Sequence, residues 1–538
     1  MNERNTSPME QTGARDLTTL LTGIWSERLG GQEVTPEDDF YALGGDSLIA
    51  LRVVTDVQEQ GIPMTLKDLL FHPTVAELAE FLAASAPAQP TAAAAGPAEG
   101  RGALLDAGDR VLVPAGVAEA LPASALQVGI IYLCETSGDP ELYHSIIGWE
   151  TVADFDENLF REALTELCDR HAALRTSFDL GTYSESVQLQ WAHVEPPLTV
   201  EHLGDDNPDK GRESIRRWSR EGLTLPIDWS QAPLFRCHVV AQPGSFHVAI
   251  ASHHAIIDGW SYGRVIVDLL DLYAAKLRGE SATLPEPPAT GERDFIIAER
   301  ELVASGEAAD FWHRQADSEP LLFARGQFHG AANAVANVEF TVDGTVLDRL
   351  RTAARTAGTS LKSLTLAAHA RALSAWTGRG DDVVTGVVVN TRPERPGADL
   401  MVGLYLNTVP LRFDALGAGL PELARQAHAW ERESAPYRAL PLARIESRLG
   451  RPPFDVVFNY MNFHVYEDLD SVPGLETRSW WVRGKPSFPF RVDFEVDAGG
   501  AGSRISVAYD PALLDEARVQ EYARCFEAAL TAAAGESA

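Results

Sequence analysis

Positive charge is in short supply along this chain. Its 538 residues hold 45 Lys and Arg against 77 Asp and Glu, a formal net charge of −32. Proteins that bind nucleic acid carry a basic footprint, so that class is set aside. Cysteine is scarcer still. Cys134, Cys168, Cys237 and Cys525 are scattered and form no Cys-x-x-Cys pair. That argues against a disulfide framework or a zinc site and points to the cytosol. No run reaches the ~18 apolar residues that span a bilayer. Met1 to Arg15 is polar and has no apolar core of a secretory signal, so neither membrane nor export is expected. Gly-x-Ser-x-Gly and His-Glu-x-x-His are also missing, which removes the usual serine and metal hydrolase readings; no metal is expected. What is present is a 45% hydrophobic composition with mean hydropathy −0.11, the profile of a soluble globular protein. The length is too great for one core and predicts roughly two to four domains.

Residues 1–15 read as a disordered tail. Leu17, Leu20, Leu21, Ile24, Trp25 and Leu29 then recur at helical spacing. A turn-rich loop leads to Leu43-Gly44-Gly45-Asp46-Ser47-Leu48, and a second helix is expected to open at Ser47 with Leu48, Leu51 and Val54 inward. Thr74-Val75-Ala76-Glu77 has the form of a capping box before a last helix. Residues 16–84 therefore read as a small helical bundle. The diglycine leaves Ser47 exposed at a helix start, where backbone N–H groups favour an attached anion; an ordinary N-cap serine would use the same sequence. Residues 85–110, rich in Ala, Pro and Gly at their start, read as a linker.

The remainder reads as two similar α+β halves, 111–290 and 291–538. Helices alternate with β-branched runs in both, which argues for mixed sheets. Asn158 is taken to open one helix, Thr345-Val346-Leu347-Asp348 to cap another, and Ser360 to open a third that ends near Gly378. Between a period-two run, Ser245 to Ser252, and a helical run through Val265, Leu269, Leu272 and Tyr273 lies His253-His254-Ala255-Ile256-Ile257-Asp258-Gly259. If the strand keeps its register, His254 shares a face with Phe246, Val248 and Ile250, and His253 lies opposite. Taken alone, the histidines could be satisfied core residues and Asp258-Gly259 a capped turn.

His-His-x-x-x-Asp-Gly resembles the active-site motif of nonribosomal peptide synthetase condensation domains. Further matches follow in order: Arg170 to Phe178, Thr391-Arg392-Pro393-Glu394 through Gly403 to Pro410, Tyr437 to Leu442, and Arg491-Val492-Asp493-Phe494. Leu121 to Gln127 fits the first motif only loosely, and Phe295 to Arg300 stands where a Tyr-x-Asp-Tyr-like run is usual. The stretch around Ser47 is similar to the attachment site of peptidyl carrier proteins. The resemblance implies a four-helix carrier followed by an α+β body of two chloramphenicol-acetyltransferase-like lobes, with the active site on a tunnel between them. It implies a 4′-phosphopantetheine arm on Ser47, His254 as the acting histidine, His253 as a structural one, and Asp258 paired with Arg392. Gly259 would let the chain turn without a Cβ, and Asn459 matches a polar position near the tunnel.

The reaction implied joins a carrier-bound aminoacyl or peptidyl thioester to an acceptor amine. Partners implied are a phosphopantetheinyl transferase, an adenylation domain that loads the carrier, since no adenylation motif is present here, and a downstream carrier or a free amine or alcohol. An epimerisation domain shares the histidine motif, but this chain has Asn407-Thr408-Val409-Pro410 and lacks that family's Glu-Gly-His-Gly-Arg-like run. A catalytically silent recruitment platform usually loses the second histidine or the aspartate; both are here. The resemblance implies that a carrier preceding the body on the same chain presents the donor. Donor chirality, and amide against ester, stay open in the sequence.

Overall fold

A computed structural model describes residues 8–535 except 30, 42, 44, 46, 65, 85–100, 289–290, 317–320, 322–334, 380–381, 394–396, 414–416, 463–471, 473, 486–487 and 498–501. Gly44, Asp46, Glu394, residues 1–7 of the expected tail and most of the expected linker thus lie outside the described residues. The rest of that tail is helical. α1 (Pro8–Arg28), α2 (Ser47–Glu59), α3 (Leu66–Phe71) and α4 (Val75–Ala84) form the first unit. Its core is Leu21, Trp25, Phe40, Val53, Val57 and Leu78, with Trp25 edge-on to Phe40 at 5.0 Å. Burying a large apolar side chain of this kind contributes about 1.5–3 kcal/mol. Thr74 Oγ1 accepts from Glu77 N at 3.2 Å, and Thr74 N donates to Glu77 Oε2 at 3.4 Å, so the capping box at α4 is in place.

Residues 101–110 are packed rather than linking. Leu105 is buried with Val113 and Val187, and Arg101 donates to Val117 O. The first lobe runs α5 (Ala107–Arg110), β1 (Val117–Pro122), α6 (Ala125–Ser137), β2 (His144–Val152), α7 (Glu157–Arg170), β3 (Thr176–Asp179), β4 (Val187–Trp191), β5 (Leu198–His202), α8 (Pro208–Leu223), β6 (Phe235–Gln242), β7 (Ser245–His253), α9 (Gly259–Leu277) and α10 (Gly291–Ala304). Period two decides how β7 packs. Phe246, Val248 and Ile250 face α7 and α9 with Trp149, Phe160 and Tyr273, while Ala249 and Ala251 face α8 with Ile215. Asp156 caps α7 by accepting from Leu159 N at 3.0 Å, which moves the helix start ahead of Asn158.

The second lobe runs α11 (Gly306–Gln315), β8 (Ala336–Asp343), α12 (Gly344–Ala357), α13 (Leu361–Thr377), β9 (Val383–Asn390), β10 (Leu406–Phe413), α14 (Leu420–Ser434), α15 (Leu442–Leu449), β11 (Val457–Met461), β12 (Glu476–Gly484), β13 (Phe490–Val496), β14 (Gly502–Tyr509) and α16 (Glu516–Gly535). Its sheet, β10-β9-β11-β13-β14-β8, packs Phe458, Phe490 and Val507 against Leu366, Trp376, Tyr522 and Phe526 of the helices. Ser360 caps α13 and Gly378 ends it at φ 69°. At α12 the cap is Asp343, which accepts from Thr345 N and Val346 N, instead of the expected Thr345 box.

The chain does not divide cleanly at 290/291. β12, from the span read as the second lobe, pairs antiparallel with β2 and gives the first lobe's sheet the order β12-β2-β7-β6-β5. An edge strand needs a partner for its backbone groups, and the returning chain supplies it for β2.

Candidate active site

β7 ends at His253 and α9 begins at Gly259, so the histidine motif is the connection between a buried strand and a buried helix. The two histidines diverge. His253 is 1% exposed. Its Nδ1 accepts from Ala255 N at 3.1 Å, its Nε2 donates to Leu142 O at 3.2 Å, and Trp229 stands edge-on at 4.7 Å. Both ring nitrogens are thus engaged inside the protein, and burial holds the ring neutral, with a pKa far below the usual range. The ordinary core reading of a histidine is the right one for His253.

His254 lines an open cavity. Its Nδ1 lies 3.0 Å from the carbonyl of Ile257, which can only accept, so Nδ1 carries the proton. The lone pair is on Nε2, and Ser145 Oγ donates to it at 3.1 Å. Burial lowers the His254 pKa below 6.5; the Ile257 bond and the Asp258 charge oppose that shift, and Arg491 adds to it. The neutral imidazole therefore presents a basic nitrogen to the cavity at ordinary pH.

Asp258 serves two ends at once. It is the N-cap of α9, accepting from Ser261 N at 2.8 Å, and it accepts from Tyr405 N at 3.0 Å. Arg392 Nη2 and Nη1 lie 3.0 Å from its Oδ1 and Oδ2, and both side chains are 2% exposed. Burial raises the Asp258 pKa, but the Arg392 charge and these N–H donors overcome it and leave the carboxyl below its ordinary 3.8. Arg392 also donates to Met401 O, and Asp258 N donates to Gly403 O. The histidine turn is so tied to the segment before β10. Asp258 makes no hydrogen bond to His254, so the arrangement is not a Ser-His-Asp relay.

Gly259 has a different place from the one expected. Its φ is not in the left-handed region, so the backbone does not require glycine there; it is the first residue of α9 and forms cavity wall. Asn459, on β11, also lines the cavity and donates to Asp493 Oδ1 at 2.9 Å, while Arg491 Nε donates to Asp493 Oδ2 at 2.9 Å. Ser145 went unnoticed in the sequence. It arrives from β2, 109 positions from His254, and no local pattern marks it. Asn407 is a further organiser, donating to the carbonyls of Arg438 and Leu440 and so joining two of the sequence motifs.

The cavity encloses about 2100 Å³. Ser145, His254, Tyr262, Arg392 and Asn459 line it from the body, and Leu43, Gly45, Ile49 and Arg52 line it from the helical unit. Ser47 opens α2 between Gly45 and Ile49 in the chain. A Cβ on Gly45 would lie 2.3 Å from the Phe40 ring, so the chain can approach Phe40 this closely only with glycine. Ser47 is thus the first residue of a helix, and its neighbours in the chain, Gly45 and Ile49, line the cavity that holds His254.

Comparison with known proteins agrees with this layout. The profile of the condensation domain family matches residues 117–538, and that of the phosphopantetheine attachment site matches residues 19–82. The chain belongs to the condensation domain family. Among relatives, the AMB antimetabolite synthetase AmbE of Pseudomonas aeruginosa is 35% identical over 528 residues, 96% of this chain and 24% of that protein. Tyrocidine synthase 3 of Brevibacillus parabrevis is 28% identical over 477 residues, 85% of this chain and 7% of the relative. The chain therefore spans about a quarter or less of these relatives. The first condensation domain of the calcium-dependent antibiotic synthetase superposes with TM-score 0.64 at 16% identity, covering 78% of this chain and 98% of that one. The starter condensation domain of rhizomide synthetase gives 0.65 at 18%, covering 77% and 94%. The fold is a helical carrier followed by two chloramphenicol-acetyltransferase-like lobes. The condensation domain family is one of acyltransferases, and the carrier's cofactor is 4′-phosphopantetheine. Among the described residues no helix is long and apolar enough to cross a membrane, and no cluster of His, Cys, Asp and Glu is arranged to hold a metal.

Proposed function

We propose that this chain's own carrier presents the donor and that His254 serves the attack of an acceptor amine on it. The observation that supports this is a cavity lined by Gly45 and Ile49, which flank Ser47 in the chain, and by His254. Ser47 would hold the phosphopantetheine arm, whose thiol carries the acyl group as a thioester. The amine takes the place of the Ser145 hydroxyl as donor to the single lone pair of Nε2 on neutral His254, which accepts its proton as the C–N bond forms and passes it to the thiolate released as the C–S bond breaks. The Nδ1–H bond to Ile257 O orients that ring, and the Asp258–Arg392 pair fixes the turn that carries it. Asn459, held by Asp493, contributes polar cavity wall. Much of the acceleration comes from holding both reactants in one enclosed space.

The chain lacks an adenylation motif, so a separate domain loads the carrier after a phosphopantetheinyl transferase has modified Ser47. The acceptor is a second carrier's aminoacyl group or a free amine or alcohol, and the compartment is the cytoplasm. Intact-mass analysis tests the direction. Holo chain loaded with a donor and mixed with a loaded acceptor carrier should end with an emptied Ser47 and the joined product on the partner. Product retained on Ser47 would reverse the assignment, and Ser47→Ala should show neither arm nor product.

A further inference from the structure

The carrier meets the body beside the cavity, and Arg52 makes an ion pair across that contact. Arg52, on α2, donates from Nε to Asp399 Oδ2 at 3.2 Å, and its guanidinium carbon sits 5.3 Å from the centre of the Trp260 ring. The pair is mostly buried, at 20% and 12% exposure. Its receptor is already assembled within the body, because Trp260 Nε1 donates to the backbone carbonyl of Asp399 at 2.9 Å. A planar cation held by a carboxylate and an aromatic face is the arrangement that suits arginine over lysine. Beside it, Tyr41 of the carrier stands edge-on to His428 at 5.6 Å.

Asp399 lies in a short 3-10 turn, Ala398–Leu400, that continues to Gly403. From inside the body this same segment is gripped by the active-site turn. Met401 O accepts from Arg392 Nε and Nη2, and Gly403 O accepts from Asp258 N and Ser261 Oγ. One short segment is therefore met by the carrier through the Asp399 side chain and tied through its Met401 and Gly403 carbonyls to Arg392, Asp258 and Ser261.

We propose that Arg52 is the docking anchor of the carrier and that residues 398–403 form a shared strap, so that a docked carrier steadies the backbone to which Asp258 and Arg392 are tied. The strap is also a selector. It fits a carrier whose second helix offers arginine at this position and disfavours one that offers an acidic residue there. The proposal rests on the carrier–condensation reading but is tested apart from it. In the intact holo chain, hydrogen exchange is followed for peptides covering 397–405 and 47–59 in wild type, Arg52→Glu, Asp399→Arg and the double charge swap, beside single-turnover transfer from Ser47. Each single change should speed exchange in both regions and slow transfer about tenfold, the effect of breaking a largely buried charge pair. The double swap should bring both back toward wild type. Arg52→Lys, which keeps the charge but loses the planar stack, should fall between, and it decides the matter should Asp399→Arg not fold. Unchanged exchange in Arg52→Glu, or a double swap no better than the single changes, would overturn the anchor. Wild-type chain that shows the exchange pattern yet transfers nothing would instead overturn the donor assignment and leave the docking intact.

Discussion

Replacing Asp258 by Ala removes one half of an ion pair that has almost no access to water. Arg392 keeps its bonds to Met401 O, Ser261 Oγ and Asn390 Oδ1, but these are neutral acceptors, and the guanidinium is left charged at 3% exposure. Breaking a buried pair on one side typically costs about 3–5 kcal/mol. Loss of the N-cap bond to Ser261 is part of the same change and is worth about 1 kcal/mol alone. The condensation domain should therefore unfold at clearly lower urea concentration, and activity should fall with it. A domain carrying both Asp258→Leu and Arg392→Met should lose less than the two single variants together, because no unpaired charge remains. The pH dependence follows from the direction of the shift. The folded-state pKa of Asp258 lies below its ordinary 3.8, so its stabilising effect is complete above that value and drains away as pH falls through the lower folded value. The assay is urea unfolding followed by tryptophan fluorescence, at neutral pH and again below pH 3.8. An Asp258→Ala domain with the wild-type midpoint at neutral pH would refute the argument, since it would mean the pair contributes no net stability.

His254→Ala should leave the unfolding midpoint and carrier loading close to wild type while slowing bond formation to weakly nucleophilic amines by about 10²–10⁴-fold, the usual range for a lost acid–base group. With wild type, the inflection that His254 gives to the single-turnover rate should lie below the ordinary histidine value of 6.5, because burial lowers the pKa of the group that must stay neutral; it should be missing from the profile of His254→Ala, while the acceptor amine's own titration stays in both. Gly45→Ala should destabilise the carrier by about 1–3 kcal/mol through the clash with Phe40, and should slow modification of Ser47 in a mass assay.

Periodic segments were legible in the sequence. β7 and α9 stand where alternation and helical spacing put them, and α2 opens at Ser47. Helix starts were less so. Asp156 and Asp343 cap α7 and α12, and an aspartate in a polar stretch gives no stronger local signal than the Asn158 or Thr345 beside it. The facing of Asp258 and Arg392, 134 positions apart, was visible only by family resemblance, since nothing near either residue says what it meets. Ser145 was illegible for the same reason without that help. Gly259 misled because Asp-Gly is a turn signal, and here the turn is made without a left-handed glycine. The sequence analysis names no strand over β12, and its partner sheet is not legible in any local pattern, because pairing between lobes depends on the whole topology.

That strand sets a mechanical condition on the enzyme. Because β12 leaves the second lobe, runs along β2 and returns to β13, the lobes are stitched by a ladder of backbone hydrogen bonds on one side of the cleft. Cleft opening as a clamshell would have to shear that seam, so the width of the aperture is set largely by the fold. A polypeptide cut between the lobes would leave β2 with a bare edge, and two separately expressed halves would meet the problem of unpaired strands before any question of chemistry arose.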